Sequence, residues 1–292
     1  MKKILIIGQG SLGYYIKKQA ILEGYDVLGT YHNTKEIDSL FLNVCDINSI
    51  EDIIKNENPD YAINCAARGD VDYLETHSED AFNVNTLGAE NVAKILHENK
   101  IRLVHISTDS IFDGIKGNYS EEDQPNPVNV YAQSKYEGEK KVSQISSNHL
   151  IIRTNFYGLY PNGRYFFNWI LDNIKQKKSF LGFTDIIFSP LDVSTVSKMI
   201  TESLEINYNG VLHFASDCSI SKYDFIKNIL DYFNLKNPLS KGSIDSQKLI
   251  ACRPKNTSLN NLKSKDLLTI EIPSFLDWIK ENEMMINRYL NN

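Results

Sequence analysis

Residues 3–13 read Lys3-Ile4-Leu5-Ile6-Ile7-Gly8-Gln9-Gly10-Ser11-Leu12-Gly13, an apolar run that breaks at Gly8 and enters a helical pattern led by Tyr14, Tyr15 and Ile16. A short unbroken apolar run of this kind reads as a strand buried on both faces, the type found in parallel sheets. The glycines then divide the labour of a strand-to-helix turn. Gly8 permits the tight reversal, Gly10 lets a pyrophosphate approach the backbone, and Gly13 allows the helix to lie close on the strand. Ser11 and Leu12 sit between them at the helix N-terminus, where the free N–H groups favour an anion. The expectation is a dinucleotide-binding turn contacted at Gly8, Gly10, Ser11, Leu12 and Gly13. The leading Met1-Lys2-Lys3 resembles the basic start of a secretion signal, but the apolar run that follows is too short for one.

Working outward, a second strand over 26–31 ends in Thr30-Tyr31-His32-Asn33-Thr34-Lys35. An acidic residue near this point normally accepts hydrogen bonds from the adenine ribose of NAD. None is present, and His32 and Lys35 instead offer cationic partners for a ribose 2′-phosphate, so NADP(H) is favoured over NAD(H). Asp46-Ile47 follows a third strand over 40–44, where the short carboxylate can contact adenine or begin the next helix. Ala66-Ala67, after a strand over 61–65, offers small side chains where a cofactor can press against the backbone. Further strands are expected over 102–107 and 149–153. Helices are expected over 11–23, 49–56 (opened by an Asn48/Glu51 capping box), 79–98 and 130–146.

Alternating strands and helices imply an α/β, Rossmann-type, doubly wound parallel sheet. The expected organisation is a dinucleotide-binding domain over 1–155, then a smaller, mainly substrate-binding lobe over 156–292 with some segments returning to the first. The second lobe is expected to carry helices over 166–175, 193–204, 222–233 and 275–290. The chain of 292 residues carries a net charge of −6 with its lysines scattered among acids, which excludes a nucleic-acid footprint. No apolar run approaches the roughly 18 residues of a membrane helix. Cys45, Cys65, Cys218 and Cys252 are too widely spaced for a metal site and suit a reducing, cytoplasmic location.

Six tyrosines have a lysine four residues downstream: Tyr14, Tyr31, Tyr131, Tyr136, Tyr223 and Tyr232. Spacing alone therefore carries little information, and position decides. Only Tyr131/Lys135 opens a helix soon after a strand that ends in hydroxyl residues, Ser107-Thr108. Helical spacing puts Tyr131 and Lys135 on one face, and the lysine charge is expected to lower the phenol's pKa from its usual value near 10. Thr108 supplies a neutral hydroxyl to orient a carbonyl oxygen, so the trio Thr108, Tyr131 and Lys135 can protonate a carbonyl under reduction.

These residues, with Asn64-Cys65-Ala66-Ala67, Asn85 and Tyr131-Ala132-Gln133-Ser134-Lys135, resemble the extended short-chain dehydrogenase/reductase superfamily over nearly the whole chain. Ile106 to Gly114, Tyr136-Glu137-Gly138-Glu139, Arg153-Thr154 and Arg253 to Leu259 narrow the likeness to the dTDP-4-dehydrorhamnose reductase family. The resemblance implies a nucleotide-sugar 4-ketoreductase in activated deoxysugar or heptose synthesis for surface polysaccharide. It also implies that Tyr131 protonates the C4 oxygen and that Lys135 additionally holds the nicotinamide ribose. The chain departs from the family pattern in three places: its glycines are spaced two and three apart rather than three and three, Ser110 replaces a tyrosine, and Asn155-Phe156-Tyr157 lacks a tryptophan.

On the substrate side, Arg253 is the expected bidentate clamp on a nucleotide diphosphate. Asp109 and Asn155 are expected to meet sugar hydroxyls, and Arg68 to add a polar contact near the cleft. A 4,6-dehydratase is disfavoured because Ser110 stands where its glutamate belongs. The alternatives kept open are a nucleotide-sugar 4-epimerase and a non-catalytic NADP-binding regulatory subunit, since the regulatory subunit of methionine adenosyltransferase resembles the same reductases. The expected partner is a nucleotide-diphosphate sugar, with neither nucleic acid nor membrane, and assembly is left open to a homodimer.

Overall fold

The apolar opening strand lies in the interior of a parallel sheet, which is why four of its five residues are buried. The computed structural model describes residues 1–35, 38–160 and 165–291. Within them, β1 (Lys3–Ile7), β2 (Asp26–Tyr31), β3 (Ser39–Phe41), β4 (Tyr61–Asn64), β5 (Arg102–Thr108), β6 (His149–Thr154) and β7 (Gly210–Phe214) form one seven-stranded sheet in the order β7-β6-β5-β4-β1-β2-β3. Every neighbouring pair is parallel. The order reverses direction between β1 and β4, and in such sheets the crevice outside the carboxyl ends at the reversal is where ligands bind.

Helices α1 (Ser11–Leu22), α2 (Ile47–Glu57), α3 (Val71–Thr76), α4 (Ser78–Phe82), α5 (Gly88–Glu98) and α6 (Val130–Ile145) follow in the first half. The second half adds α7 (Phe166–Lys175), α8 (Val193–Ser203), α9 (Lys222–Tyr232), α10 (Leu262–Leu267), α11 (Phe275–Glu281) and α12 (Glu283–Asn291). One face of the sheet is covered by α1 and α8, with Ile4, Ile6, Ile16, Val196 and Ile200 in its core. The other is covered by α2, α5 and α6, with Leu5, Ile7, Ile54, Val92 and Val142 buried there. A separate core of Tyr157, Phe167, Phe180, Phe225 and Trp278 gathers α7, α9 and α11 in the second half.

Some second-half segments are expected to return to the first domain, and the structure identifies them, while other expectations change. β7 and α8, both late in the chain, return to the first half's sheet and its cover. Five residues containing a glycine and a histidine carry too weak a pattern to announce β7. The third strand is only Ser39–Phe41, three residues at the sheet edge. Helix α2 starts two residues earlier than expected because Asp46 caps it, its carboxylate accepting from the Asn48 N–H at 3.1 Å. The expected Asn48/Glu51 box therefore yields to Asp46 as the cap. The single helix expected over 79–98 divides into α4, a π-helical turn at Asn83–Leu87, and α5, and α3 precedes it. Among the described residues, no helix is long and apolar enough to cross a membrane, and no cluster of His, Cys, Asp and Glu is arranged to hold a metal.

Candidate active site

At the glycine turn, backbone geometry explains each residue type. Gly8 has φ +85°, and a Cβ there would lie 2.8 Å from the Ala66 backbone. A side chain at Gly13 would meet the Gly8 carbonyl at 2.6 Å, whereas nothing lies within 4 Å of the corresponding point on Gly10. The first two positions are thus closed by the protein and the third is open for a ligand. Beside them runs a cleft of about 550 Å³ lined by Gly8, Gln9, Gly10, Thr30 to Thr34, Leu42 to Cys45 and Ala66 to Arg68, among others. That volume, with its mixed polar and apolar lining, suits a dinucleotide and lies within the range of cofactor pockets.

The cleft redistributes the expected contacts. His32 lines it and stacks on Phe41, with ring centroids 5.7 Å apart. Lys35 is exposed and outside the lining, and Asn43, Val44 and Cys45 line the wall instead of Asp46 and Ile47. Asp46 is occupied as a helix cap, and Ile47 packs against the hydrophobic core. Ser11 and Leu12 are buried at the start of α1, and Ser11 borders a small neighbouring cavity with Tyr15 and Tyr160. Gln9, which the sequence pattern did not single out, packs over Gly29 so closely that a Cβ on Gly29 would fall 1.8 Å from its Oε1. That oxygen is buried without a partner on a residue only 8% exposed, which is the kind of unsatisfied group a ligand donor relieves.

The candidate reacting centre is assembled from the end of β5 and the start of α6. Asn129 caps α6 by accepting from the Ala132 N–H at 2.9 Å, and its amide donates to the Cys252 carbonyl at 2.8 Å, fixing where the helix begins. The π-helical turn fixes its other side. Asn85 accepts from the Arg68 N–H at 2.8 Å and donates to Ser134 Oγ at 2.9 Å, while Ser134 Oγ donates to the Tyr131 carbonyl at 2.8 Å. π-turns of this kind recur at functional sites, and here it stitches the cleft wall to the helix carrying Tyr131 and Lys135. Gly138 permits the approach, since a Cβ there would lie 2.3 Å from the Asn85 carbonyl.

Tyr131 and Thr108 meet as expected. Burial pushes the phenol's pKa up to about 12, its hydrogen bond with Thr108 opposes that rise, and the Asp109 charge adds to it. The expected lowering by Lys135 does not occur in this arrangement. Lys135 is 3% exposed and donates to the Ile106 carbonyl at 2.6 Å, and burial lowers its own pKa to about 8 despite the opposing pull of Glu139. Desolvation, which penalises both charged forms, outweighs the mutual attraction that spacing alone implied.

Asp109 is buried and saturated. Its Oδ1 accepts from Thr108 at 3.2 Å and Ser110 at 3.3 Å, and its Oδ2 from Asn155 at 3.0 Å and Thr257 at 2.6 Å. Burial raises its pKa, with those bonds and the Lys222 charge opposing. Asn155 is therefore joined to Asp109 as a single polar unit. Arg253 donates to Asp72 Oδ2 at 2.8 Å and to the Ala251 carbonyl at 2.9 Å, so its guanidinium already ties the late loop to α3. Arg68 lines the cleft, lies 3.5 Å from Asp80 and leans over the Tyr73 ring.

Lys222, at the start of α9, had no signal in the sequence because only the fold brings it to Asp109. Its Nζ lies 3.5 Å from the Phe188 ring centroid and 3.9 Å from that of Phe166. Desolvated contacts of this type contribute on the order of 2 kcal/mol. Burial brings its pKa down to about 7, with Asp109 pulling the other way.

The RmlD substrate binding domain family matches residues 1–289. A dTDP-4-dehydrorhamnose reductase of Aggregatibacter actinomycetemcomitans is 29% identical over 95% of this chain and 96% of its own. Methionine adenosyltransferase 2 subunit beta of Bos taurus is 27% identical over 96% of this chain and 87% of its own. The crystal structure of dTDP-4-dehydrorhamnose reductase from Bacillus anthracis in complex with NADP superposes with a TM-score of 0.89, at 28% identity, covering 98% of this chain and all of that one. With its seven-stranded parallel sheet and its Thr108, Tyr131 and Lys135 at the sheet's carboxyl edge, the chain belongs to the RmlD substrate binding domain family of the extended short-chain dehydrogenase/reductase superfamily.

Proposed function

We propose that the protein reduces the 4-keto group of a nucleotide-activated sugar, as an NADPH-dependent, dTDP-4-dehydrorhamnose reductase-like enzyme of deoxysugar synthesis. The observation that carries this reading is the meeting of the Tyr131 phenol with Thr108 at the end of β5, with Lys135 one helical turn on, beside a cleft shaped for a dinucleotide. When bound, NADPH supplies the hydride. Gly8, Gly10, Gln9, His32, Ala66 and Ala67 would hold it along the cleft, and Lys135 would meet its nicotinamide ribose.

The chain's own part is acid catalysis. A phenol with its pKa raised to about 12 stays protonated through the neutral range. Tyr131 therefore enters the reaction loaded, and gives its proton to the carbonyl oxygen as that oxygen gains negative charge. Thr108 orients the same oxygen, and the phenolate regains a proton from water before the next turnover. Asp109 and Asn155 bound the sugar side, and Arg68 and Arg253 are the candidate anchors for the diphosphate, Arg253 by exchanging Asp72 for phosphate oxygens.

Preference for NADP over NAD is part of the proposal. It is supported by the lack of any carboxylate from Thr30 to Lys35 and by His32 in the cleft wall. The cofactor-binding domain over 1–155 and substrate lobe over 156–292 are likewise proposed, with 193–203 and 210–214 serving the first. A regulatory role is the second reading, favoured by the similarity to methionine adenosyltransferase 2 subunit beta. Purified protein with NADPH and a panel of dTDP-, GDP-, UDP- and CDP-linked 4-ketosugars separates the two. Turnover of at least one sugar is expected, and failure with all of them while NADPH still binds would leave the regulatory reading standing.

A further inference from the structure

Lys222 presents an ammonium group with no hydrogen-bond acceptor among the described residues. Its Nζ is flanked by the faces of Phe166 and Phe188 and by the charge of Asp109, yet it forms no ion pair with that carboxylate. Asp109 could not readily supply one, because both of its oxygens already accept two donors each, from Thr108, Ser110, Asn155 and Thr257. An aliphatic side chain would fill the space between two phenylalanines without leaving a polar group unpaired. Lys222 is only partly buried as a residue, and its Nζ is not among the sealed, partnerless polar atoms.

Its position identifies what it reaches for. Asp109 follows Thr108 in the chain, accepts its hydroxyl proton, and acts electrostatically on Tyr131. Lys222 in turn acts on Asp109 from α9. The ammonium is thus linked through Asp109 to the Thr108–Tyr131 pair and does not line the cofactor cleft of Gly8 to Gly10. The charges of Asp109 and Lys222 offset each other, so this corner calls for an uncharged oxygen rather than a carboxylate. From this arrangement we infer that Lys222 is a specificity-determining residue whose ammonium donates a hydrogen bond to a neutral hydroxyl oxygen of the substrate's sugar, next to the carbonyl held by Thr108 and Tyr131. The inference rests on the ketoreductase reading and names a sugar contact within it.

The test compares wild type, Lys222→Met and Lys222→Gln, with NADPH and dTDP-4-dehydrorhamnose as substrates and dTDP as a competitive inhibitor that lacks the sugar. Lys222→Met is expected to raise the KM for the ketosugar by about 10- to 100-fold, the range for a lost charge-assisted hydrogen bond. Lys222→Gln, which keeps an N–H donor, should recover part of that loss and serves where Lys222→Met does not fold. Inhibition by dTDP and the Kd for NADPH should stay within about twofold of wild type. Wild-type turnover with an unchanged ketosugar KM in the folded variants overturns the inference alone. A parallel loss of dTDP inhibition also overturns it, by placing the contact on the diphosphate. Failure of wild type to reduce any 4-ketosugar removes the underlying reading and the inference with it.

Discussion

At the residue scale, the site is governed by desolvation more than by the pairing that spacing implies. Tyr131 has its pKa raised and Lys135 has its lowered, each chiefly by burial. Because the Lys135 pKa falls to about 8, its ammonium discharges as pH rises through 8 to 9. If that ammonium holds the cofactor, NADPH binding should weaken across this window and do so less in Lys135→Arg, whose charge persists; titration by nucleotide fluorescence measures both. Gln9 and Gly29 form a second testable pair. Gly29→Ala would place a methyl against Gln9 Oε1 and drive that flexible side chain into the cleft. NADPH affinity should fall by about tenfold or more, roughly the effect of 1.4 kcal/mol, and Gln9→Ala added to Gly29→Ala should restore it; an unaltered Kd in Gly29→Ala would show that Gln9 lies clear of the cofactor.

At the element scale, the joint between the π-helical turn and α6 sets the geometry of the proposed Tyr131/Lys135 pair. Gly138→Ala brings a methyl against the Asn85 carbonyl, and both partners are backbone-anchored, so the helices must part. Overpacking of this kind costs about 1–3 kcal/mol. Urea denaturation should show that loss, with a fall in kcat larger than stability alone explains, since Tyr131 and Lys135 ride on α6. This joint also marks the limit of what the chain's pattern reveals. The glycine turn, β1, β5 and the Tyr131 helix were legible because each depends on local periodicity or punctuation, and Gly8 and Gly13 take up the tight turn and close packing that their positions predict. The π-turn was not, because a five-residue widening leaves hydrophobic period nearly unchanged. Lys222 and Thr257 were invisible as site residues for another reason, that 113 and 148 residues of chain separate them from Asp109 and only tertiary folding closes that gap. Arg253 was legible as a cation but not as the partner of Asp72, which lies 181 residues away.

At the scale of the whole molecule, the sheet is crossed by buried polar groups whose ionisation couples folding to pH. Glu139 and Arg153 form an ion pair at 2.7 Å with side chains 4% and 5% exposed, joining α6 to β6 beneath the site. Glu139→Gln should cost about 3–5 kcal/mol by leaving the arginine without its counter-charge, measurable as a lower urea midpoint. Three histidines tell a second story. Burial lowers the pKa of His105, of His149, and of His213 to about 3. Below the ordinary histidine pKa near 6.5, the unfolded chain binds protons that the native state refuses, so stability must fall as pH falls from about 7 toward 5. Melting temperature should drop steadily over that range; a flat profile would mean these histidines accept protons while folded.

The proposed function makes Tyr131 the proton donor of a ketosugar reductase. Its most direct test is Tyr131→Phe, compared with wild type in NADPH-dependent reduction of dTDP-4-dehydrorhamnose and in NADPH binding. That role requires kcat to fall by about 10²- to 10⁴-fold, the usual worth of a positioned general acid, while the Kd for NADPH changes little. Turnover by Tyr131→Phe at the wild-type rate would contradict it.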